Sequence, residues 1–184
     1  MNVRMRWLPV GLVLLAGCGY NTIQTYDEQV NAAESQIKVQ LQRRADLIPN
    51  LVETVKGYAK QEMTIFTEVA EARAKLAGAV QSNDLQQMAA ANAALTAPLG
   101  RLLAIAENYP QLKSNENFRA LQDQLEGTEN RIAVARQDYN EAVNRYNAYI
   151  RRFPAVLTAK VIGKGPRQYF QADAGAETAP KVSF

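Results

Sequence analysis

The feature that most constrains the fold is an apolar stripe with an unbroken alternation of three and four residues. Its members are Phe118, Leu121, Leu125, Thr128, Ile132, Ala135, Tyr139, Ala142, Tyr146, Tyr149 and Phe153. This spacing keeps one face of an α-helix apolar, and at about 1.5 Å per residue such a helix is roughly 55 Å long. From Ile23 onward no segment alternates with the period of two that a strand requires. We therefore predict an all-α protein.

Three further amphipathic stretches predict an antiparallel four-helix bundle with long helices. One follows the capping residues 82–84, is expected to kink at Pro98, and ends at Pro110. The other two, residues 23–47 and 49–80, are divided by Pro49. Proline disfavours the helical conformation in the residue before it and suits a first helical turn, so we predict a tight reversal there. One long helix kinked at Pro49 is the alternative.

The segment after Pro154 is predicted to be a short C-terminal extension of the bundle. Residues 155–162 suit a short helix, residues 163–166 a turn, and Tyr169 and Phe170 are expected to pack back on the bundle. Residues 171–184 are small and polar, and we expect them to form a flexible tail. The predicted domain organisation is therefore a bundle over residues 23–170, followed by this tail.

The N-terminus has the pattern of a lipoprotein signal peptide. A basic start precedes an apolar run from Trp7 that is too short for a bilayer span of roughly 20 residues. The run ends in Leu15-Ala16-Gly17-Cys18, which resembles a lipobox, and Cys18 is the only cysteine of the chain. We predict cleavage of residues 1–17 between Gly17 and Cys18, lipid on Cys18, and a short tether over residues 18–22. A secreted protein with a chance cysteine is the alternative.

Composition excludes several classes of function. The chain has no histidine, which removes Ser-His-Asp and Cys-His catalytic pairs and His-ligated metals. The net charge is +3, and two of the positive charges, Arg4 and Arg6, lie in the predicted signal peptide. The remaining charge is too small and dispersed for a nucleic-acid-binding face. We predict no metal and no cofactor.

Several long strings make the chain resemble the LemA family. They are RRADLIPNLVETVKGYAKQE (43–62), AENYPQLKSNENF (106–118), EGTENRIAVARQDYNEAVNRYN (126–147), RRFP (151–154) and AKVIGKGPRQYF (159–170). The resemblance covers about residues 20–170. It implies a mostly antiparallel helical domain tethered to a bacterial membrane by its N-terminus, and it implies no catalytic residues. The lipobox differs from the transmembrane helix common in the family, and Pro98 interrupts a helix expected to be regular.

Polar residues inside these strings form the candidate site. They are Arg43, Arg44, Asp46, Asn50 and Glu53 at the proposed reversal, and Glu126, Glu129, Arg136, Tyr139, Asn140 and Asn147 on the last helix. Carboxylates beside arginine and tyrosine suit acid–base chemistry or a hard cation. The competing interpretation, which we favour, is a hydrogen-bonded network that fixes helix register, and Asn92 on its own apolar stripe belongs to the same class.

Two smaller features also have two interpretations each. Tyr139, Tyr146 and Tyr149 suit a stacking surface for a sugar or peptide, although aromatic residues on a stripe more often form the core. Arg151 and Arg152 suit either contact with anionic lipid or favourable charge at a helix C-terminus.

The leading functional hypothesis is a non-catalytic, lipid-anchored interaction or scaffold module. It faces the extracytoplasmic side, on the outer membrane if the cell has two, because residue 19 is glycine rather than aspartate. Its expected partners are membrane lipid through Cys18 and another envelope protein, with no nucleic acid. The alternatives are a hydrolase or transferase acting on an envelope polymer through Glu126, Glu129 and Tyr139, or a carrier of a small apolar ligand.

Overall fold

The computed structural model describes the backbone of residues 8–170 and the side chains of residues 19–170. The lipid on Cys18, most of the predicted signal peptide and the tail at 171–184 therefore lie outside the described residues. Within the described part the regular structure is entirely helical, which confirms the all-α bundle. The helices are α1 (Leu8–Lys56), α2 (Met63–Ser82), α3 (Leu85–Ile105), α4 (Pro110–Lys113), α5 (Glu116–Ile150) and α6 (Ala155–Val161).

Helix α1 is longer than the sequence predicts at both ends. It already includes residues 19–22, predicted as a tether before a first helical residue at Ile23, and it continues through Pro49 to Lys56. The predicted reversal at Pro49 is therefore wrong. The buried residues of α1 keep one alternation of three and four across the proline, since Arg44, Ile48, Leu51 and Val55 are all buried. One continuous face is thus available to the core on both sides of Pro49.

A side chain from α2 replaces the hydrogen bond that Pro49 removes. In an uninterrupted helix the amide of residue 49 would donate to the carbonyl of Ala45, and proline has no such amide. Here Arg73 Nε donates to the Ala45 carbonyl oxygen at 2.9 Å. This contact satisfies the carbonyl that the proline leaves unpaired, which is why the helix continues.

The first reversal lies instead at residues 57–62. The amide of Ala59 donates to the carbonyl of Val55 at 2.9 Å and closes the end of α1. Lys56 Nζ then lies 5.7 Å from the ring centroid of Phe66 in α2. Because Arg73, further along α2, reaches back to Ala45, the two helices are antiparallel.

We expect Arg73→Met to lower the free energy of unfolding by about 1 kcal/mol, the usual net value of one hydrogen bond. In a Pro49→Ala background this loss should shrink, because the alanine amide can donate to the Ala45 carbonyl itself. Urea unfolding followed by circular dichroism measures both values, with the exposed Lys75→Met on the same helix as control. An equal loss from Arg73→Met in both backgrounds would contradict the assigned role of Arg73.

Helices α3 and α5 begin with side-chain caps. The Asp84 carboxylate accepts from the amides of Gln86 and Gln87 at 2.9 and 3.1 Å, as the predicted capping residues 82–84 indicate. Helix α3 continues without interruption past Pro98 and ends at Ile105, followed by a 3₁₀ turn at Ala106–Asn108. At the start of α5, Asn115 Oδ1 accepts from the amide of Phe118 at 3.0 Å.

Most of the apolar stripe of α5 lies in the core, whereas Leu121 and Tyr149 are half-buried. Phe118, Leu125, Thr128, Ile132, Ala135, Tyr139, Ala142 and Tyr146 are buried. Phe153 is 76% exposed, because α5 already ends at Ile150 and Phe153 lies in the turn before α6. The short C-terminal helix is confirmed, and Gly163 adopts a positive φ of 68° in the turn that follows it.

The chain divides into two compact units, each of which uses part of α1 and part of α5. The first combines the chain up to residue 36 with residues 135–169, and the second contains residues 37–134 together with Phe170. In the first unit α1 and α5 are antiparallel. Tyr26 of α1 forms an edge-on ring pair with Tyr149, near the end of α5. Besides burial, the charge of Glu34 further along α1 contributes to the raised pKa of Tyr139, which comes earlier in α5. The candidate polar residues fall into separate clusters in these two units.

Candidate functional site

In the second unit the polar cluster centres on Arg44. Its side chain is only 5% exposed, and Nη1 donates to Asn92 Oδ1 at 2.6 Å and pairs with Glu129 Oε2 at 2.5 Å. Burial lowers the pKa of Arg44, and the charge of Glu129 opposes that shift. The three residues come from α1, α3 and α5, so the cluster ties three helices together at one level of the unit. Arg44 and Glu129 were both predicted for the site, and Asn92 was predicted to set register.

The other residues predicted for the site near Pro49 do not join this cluster. Arg43, Asp46, Asn50 and Glu53 are exposed. Asp46 accepts a hydrogen bond from Gln42 at 2.8 Å, and Glu53 pairs with Lys56 at 3.0 Å, so both make local contacts along α1. The predicted crowding of these residues required a chain reversal at Pro49, and the helix is continuous there.

In the first unit a second cluster surrounds the buried carboxylate of Asp27. Lys164 Nζ donates to Oδ2 at 2.6 Å, and Arg167 donates to Oδ1 through Nη2 at 2.8 Å and Nε at 3.2 Å. Arg167 Nη2 also donates to Asn31 Oδ1 at 2.8 Å. These contacts attach residues 163–169, which we call the C-terminal strap, to α1.

The charges in this second cluster fix the ionised state of its members. Burial by itself raises the pKa of Asp27, but the hydrogen bonds from Lys164 and Arg167, helped by their charges, outweigh it and hold the pKa below its ordinary value. Burial likewise lowers the pKa of Arg167, and its bond to Asp27 more than reverses that effect. The pair therefore stays charged at neutral pH.

Helix α5 holds the backbone of the strap from the other side. Tyr146 donates its hydroxyl to the carbonyl of Gly165 at 3.1 Å, and Tyr139 donates to that of Gln168 at 2.9 Å. Asn147 makes two bonds to Arg167, accepting from its amide at 2.8 Å and donating to its carbonyl at 2.9 Å. Burial raises the pKa of both tyrosine hydroxyls. They therefore remain protonated donors at neutral pH.

The tyrosines predicted as an alternative stacking surface lie mainly inside the protein. Tyr139 and Tyr146 are 2% and 1% exposed. Tyr149 is half-buried and forms an edge-on ring pair with Tyr26, with centroids 5.3 Å apart. Their rings therefore contribute to packing rather than to an open platform.

The residues of the catalytic alternative are divided between the two units. Glu126 is exposed, Glu129 pairs with Arg44 in the second unit, and Tyr139 contacts the strap in the first. Arg136 and Asn140, also predicted for the site, are half-buried on α5.

An open groove of about 470 Å³ lies along the second unit. It is lined by Lys38, Val39, Gln42, Arg43, Asp46, Leu47 and Val80. Of the predicted site residues it includes only Arg43 and Asp46. Across residues 19–170 no group of three or more acidic or cysteine side chains is placed to bind a metal ion.

Among the described residues, the stretch Leu85–Asn108 is long and apolar enough to cross a membrane. Its apolar side chains Met88, Leu95 and Leu102 are buried within the second unit. On another face Arg101 Nη2 pairs with Glu68 Oε2 of α2 at 2.5 Å. We therefore interpret this stretch as a core helix of the bundle.

Four residues of the strap cluster were not predicted as site residues from the sequence, namely Asp27, Asn31, Lys164 and Arg167. A signal for Asp27 was present, because it continues the buried spacing of α1 between Ile23 and Val30. A charged residue on a buried stripe requires a partner. The partners themselves lie more than a hundred residues away along the chain, and local spacing does not identify them.

The family model described as LemA family matches residues 33–184. The chain belongs to the LemA family. The match includes the Arg44 cluster and the strap, and it begins after Cys18, so it does not bear on lipidation. The resemblance predicted from the sequence strings is thereby confirmed.

Three relatives of this LemA protein are magnetosome proteins. Magnetosome proteins MamQ 1 and MamQ 2 of Paramagnetospirillum magneticum are each 29% identical to it over 184 aligned residues. Magnetosome protein MamQ of Magnetospirillum gryphiswaldense is 30% identical over 182. Each alignment covers 86% of this chain and 67% of the relative.

Proposed function

We propose that this LemA protein is a lipid-anchored, non-catalytic interaction module on the extracytoplasmic face of a bacterial membrane. It is held there by lipid on Cys18 and binds another envelope protein through its helical surface. In a cell with two membranes the proposed location is the outer one. The relatives' names assign them to the magnetosome and specify no reaction, so they bring no enzymatic activity to this chain.

The packing of Gly19 is the main support for this proposal. Gly19 is buried, and a Cβ atom on it would lie 3.5 Å from Ala155 Cα and 3.6 Å from Thr158 Oγ1. The residue that directly follows Cys18 is therefore already fixed against α6. A lipid on Cys18 would attach to the folded unit itself, and confinement at the membrane raises the effective concentration of partners in the same membrane.

The internal contacts of the polar residues support the non-catalytic part. A general acid or base has to reach a substrate within hydrogen-bonding distance. Arg44, Glu129 and Tyr139 instead bond to other parts of the protein. These contacts fix helix pairing and hold the strap, which is the role expected of a scaffold.

Loss of the thiol should release the protein from the membrane. We expect the wild-type protein to remain in the membrane fraction after an alkaline wash and to carry the mass of a diacylglyceryl group. A form with residues 1–17 replaced by an ordinary secretory signal and Cys18→Ala should be found in the soluble fraction. Fractionation and intact-mass measurement test this.

Photo-crosslinking tests the partner. A crosslinking residue at the exposed positions 39 or 134 should capture a discrete envelope protein in the lipidated form and lose it in the soluble form. A folded soluble form that gives the same adduct in the same yield would contradict the anchoring role. The enzyme alternative would be favoured if the protein hydrolyses or modifies an envelope polymer and if a Tyr139→Phe variant of wild-type stability loses that reaction.

A further inference from the structure

Three exposed large apolar side chains lie close together in one short stretch, residues 153–161. Phe153, Leu157 and Val161 are 76%, 51% and 85% exposed. Large apolar side chains are normally turned inward, and a contiguous exposed group of them marks a binding surface. This stretch therefore calls for a partner.

Leu157 and Val161 lie on the outward side of α6, and Phe153 is exposed in the turn that precedes it. Leu157 and Val161 are four residues apart in the helix, one turn from each other. Phe153 lies just before α6, in the turn where the amide of Val156 donates to the carbonyl of Arg152 at 2.8 Å. We call Phe153, Leu157 and Val161 the α6 face.

The inward side of α6 carries small residues. Ala155, Thr158 and Ala159 are buried, and Ala155 and Thr158 pack against Gly19 of α1. The helix thus contacts its own protein through small side chains and turns its large apolar ones to the outside. Packing within the first unit does not account for that arrangement.

The residues next to the α6 face in the sequence carry positive charge. Arg151, Arg152 and Lys160 are exposed beside it, and the sequence from residue 142 to residue 170 contains no Asp or Glu. Apolar side chains ringed by lysine and arginine are the pattern of segments that lie in the interface of an anionic membrane. A second protein chain would also cover apolar surface, but it has no general need for this one-sided charge.

The position of the face identifies the membrane. Gly19 touches α6, and the Cα atom of Cys18 lies about 3.8 Å from that of Gly19 along the chain. Acyl chains on Cys18 would therefore enter the bilayer close to α6.

We propose that the α6 face inserts into the headgroup region of the membrane that holds Cys18, and that Arg151, Arg152 and Lys160 contact anionic headgroups. The proposal rests on the proposed lipid anchor for its location. Two attachments at one end of the first unit would fix its orientation on the membrane, whereas a lipid alone would leave it free to rotate. The expected depth is about 5–10 Å, as for other interfacial helices.

A tryptophan placed on the face reports insertion. The only tryptophan of the chain is Trp7, in the predicted signal peptide, so Val161→Trp gives a single reporter in the processed protein. The lipidated protein would be reconstituted in vesicles of phosphatidylethanolamine and phosphatidylglycerol containing lipids brominated at different depths. Gln137→Trp is the control, at an exposed site in the same unit about 20 Å from the end of α5.

We expect Val161→Trp to emit at shorter wavelength and to be quenched several-fold more strongly than Gln137→Trp, most of all by bromine near the headgroups. Replacing phosphatidylglycerol by phosphatidylcholine should weaken that quenching. Equal, weak quenching at both positions in protein that remains on the vesicles would overturn the proposal while leaving the anchor intact. Shielded but unquenched emission from Val161→Trp would assign the face to a protein partner or a second copy, which also overturns it.

Failure of the anchor has a different signature. Intact mass shows whether the processed protein carries lipid, independently of fluorescence. A purified protein that lacks the lipid would contradict the proposed function. Quenching of Val161→Trp in that unlipidated protein would still support the α6 face as a membrane-binding surface.

Discussion

Replacing Arg44 by methionine is expected to lower the free energy of unfolding by about 2 kcal/mol, because the buried Asn92 loses its hydrogen-bond donor, whereas Glu129, whose side chain is 47% exposed, stays partly hydrated. The substitution keeps an unbranched side chain and removes the charge. The acceptor of Asn92, itself buried, loses its donor, and Glu129 loses its cation. Urea unfolding monitored by circular dichroism gives the value.

A double variant separates the polar contact from packing. The Asn92 amide should be destabilising mainly when it is unpaired. The loss of free energy of unfolding in the double variant Arg44→Met with Asn92→Leu should then be smaller than the sum of the losses in the two single variants. Arg43→Met is the matched control, since Arg43 is exposed on the neighbouring position of the same helix. Unfolding of Arg44→Met at the wild-type urea concentration would show that the cluster does not stabilise the second unit.

Replacing Asp27 by asparagine is expected to loosen the C-terminal strap and to cost about 2 kcal/mol, as for loss of charge-assisted hydrogen bonds. Lys164 and Arg167 would then face a neutral amide. Hydrogen exchange at the amide of Arg167, which donates to Asn147, should become faster. Asp138→Asn, at an exposed position of the same unit, is the control.

The effect of Asp27 should depend on pH in a defined direction. Burial by itself raises the folded-state pKa of Asp27, but its bonds to Lys164 and Arg167 outweigh burial and hold that pKa below the ordinary value. The stabilisation is therefore complete above about pH 4, the usual pKa of an unfolded aspartate, and is lost as the pH falls through the lower folded-state pKa. The difference in free energy of unfolding between wild type and Asp27→Asn should therefore become smaller as the pH falls below about 4. A difference that stays constant into that range would contradict the ionic role of Asp27.

The helical class and most of the core follow from local spacing. The stripe of α5 predicts its buried face over more than eight turns, and the caps at Asp84 and the proline at position 110 mark the ends of helices within a few residues. These features depend on neighbouring residues, which the sequence displays directly. Leu121 and Tyr149 of this stripe are only half-buried, and Phe153, beyond the end of α5, is exposed.

Pro49 shows where a local rule fails. Proline breaks a helix by removing one donor, and the prediction of a reversal rested on that loss. The compensating donor, Arg73, comes from the next helix. In the structure the buried spacing continues through Arg44, Ile48 and Leu51, as the alternative of one long helix requires.

The sequence by itself determined the secondary-structure class, the apolar faces and the family, because each is encoded by residues close together in the chain or by long matching strings. Only the tertiary structure decided which polar residues meet. Arg44 joins Asn92 and Glu129, and Asp27 joins Lys164 and Arg167, across separations that no periodicity specifies. A charged residue on a buried stripe indicates that a partner is required, but the packing of distant helices determines which residue that partner is.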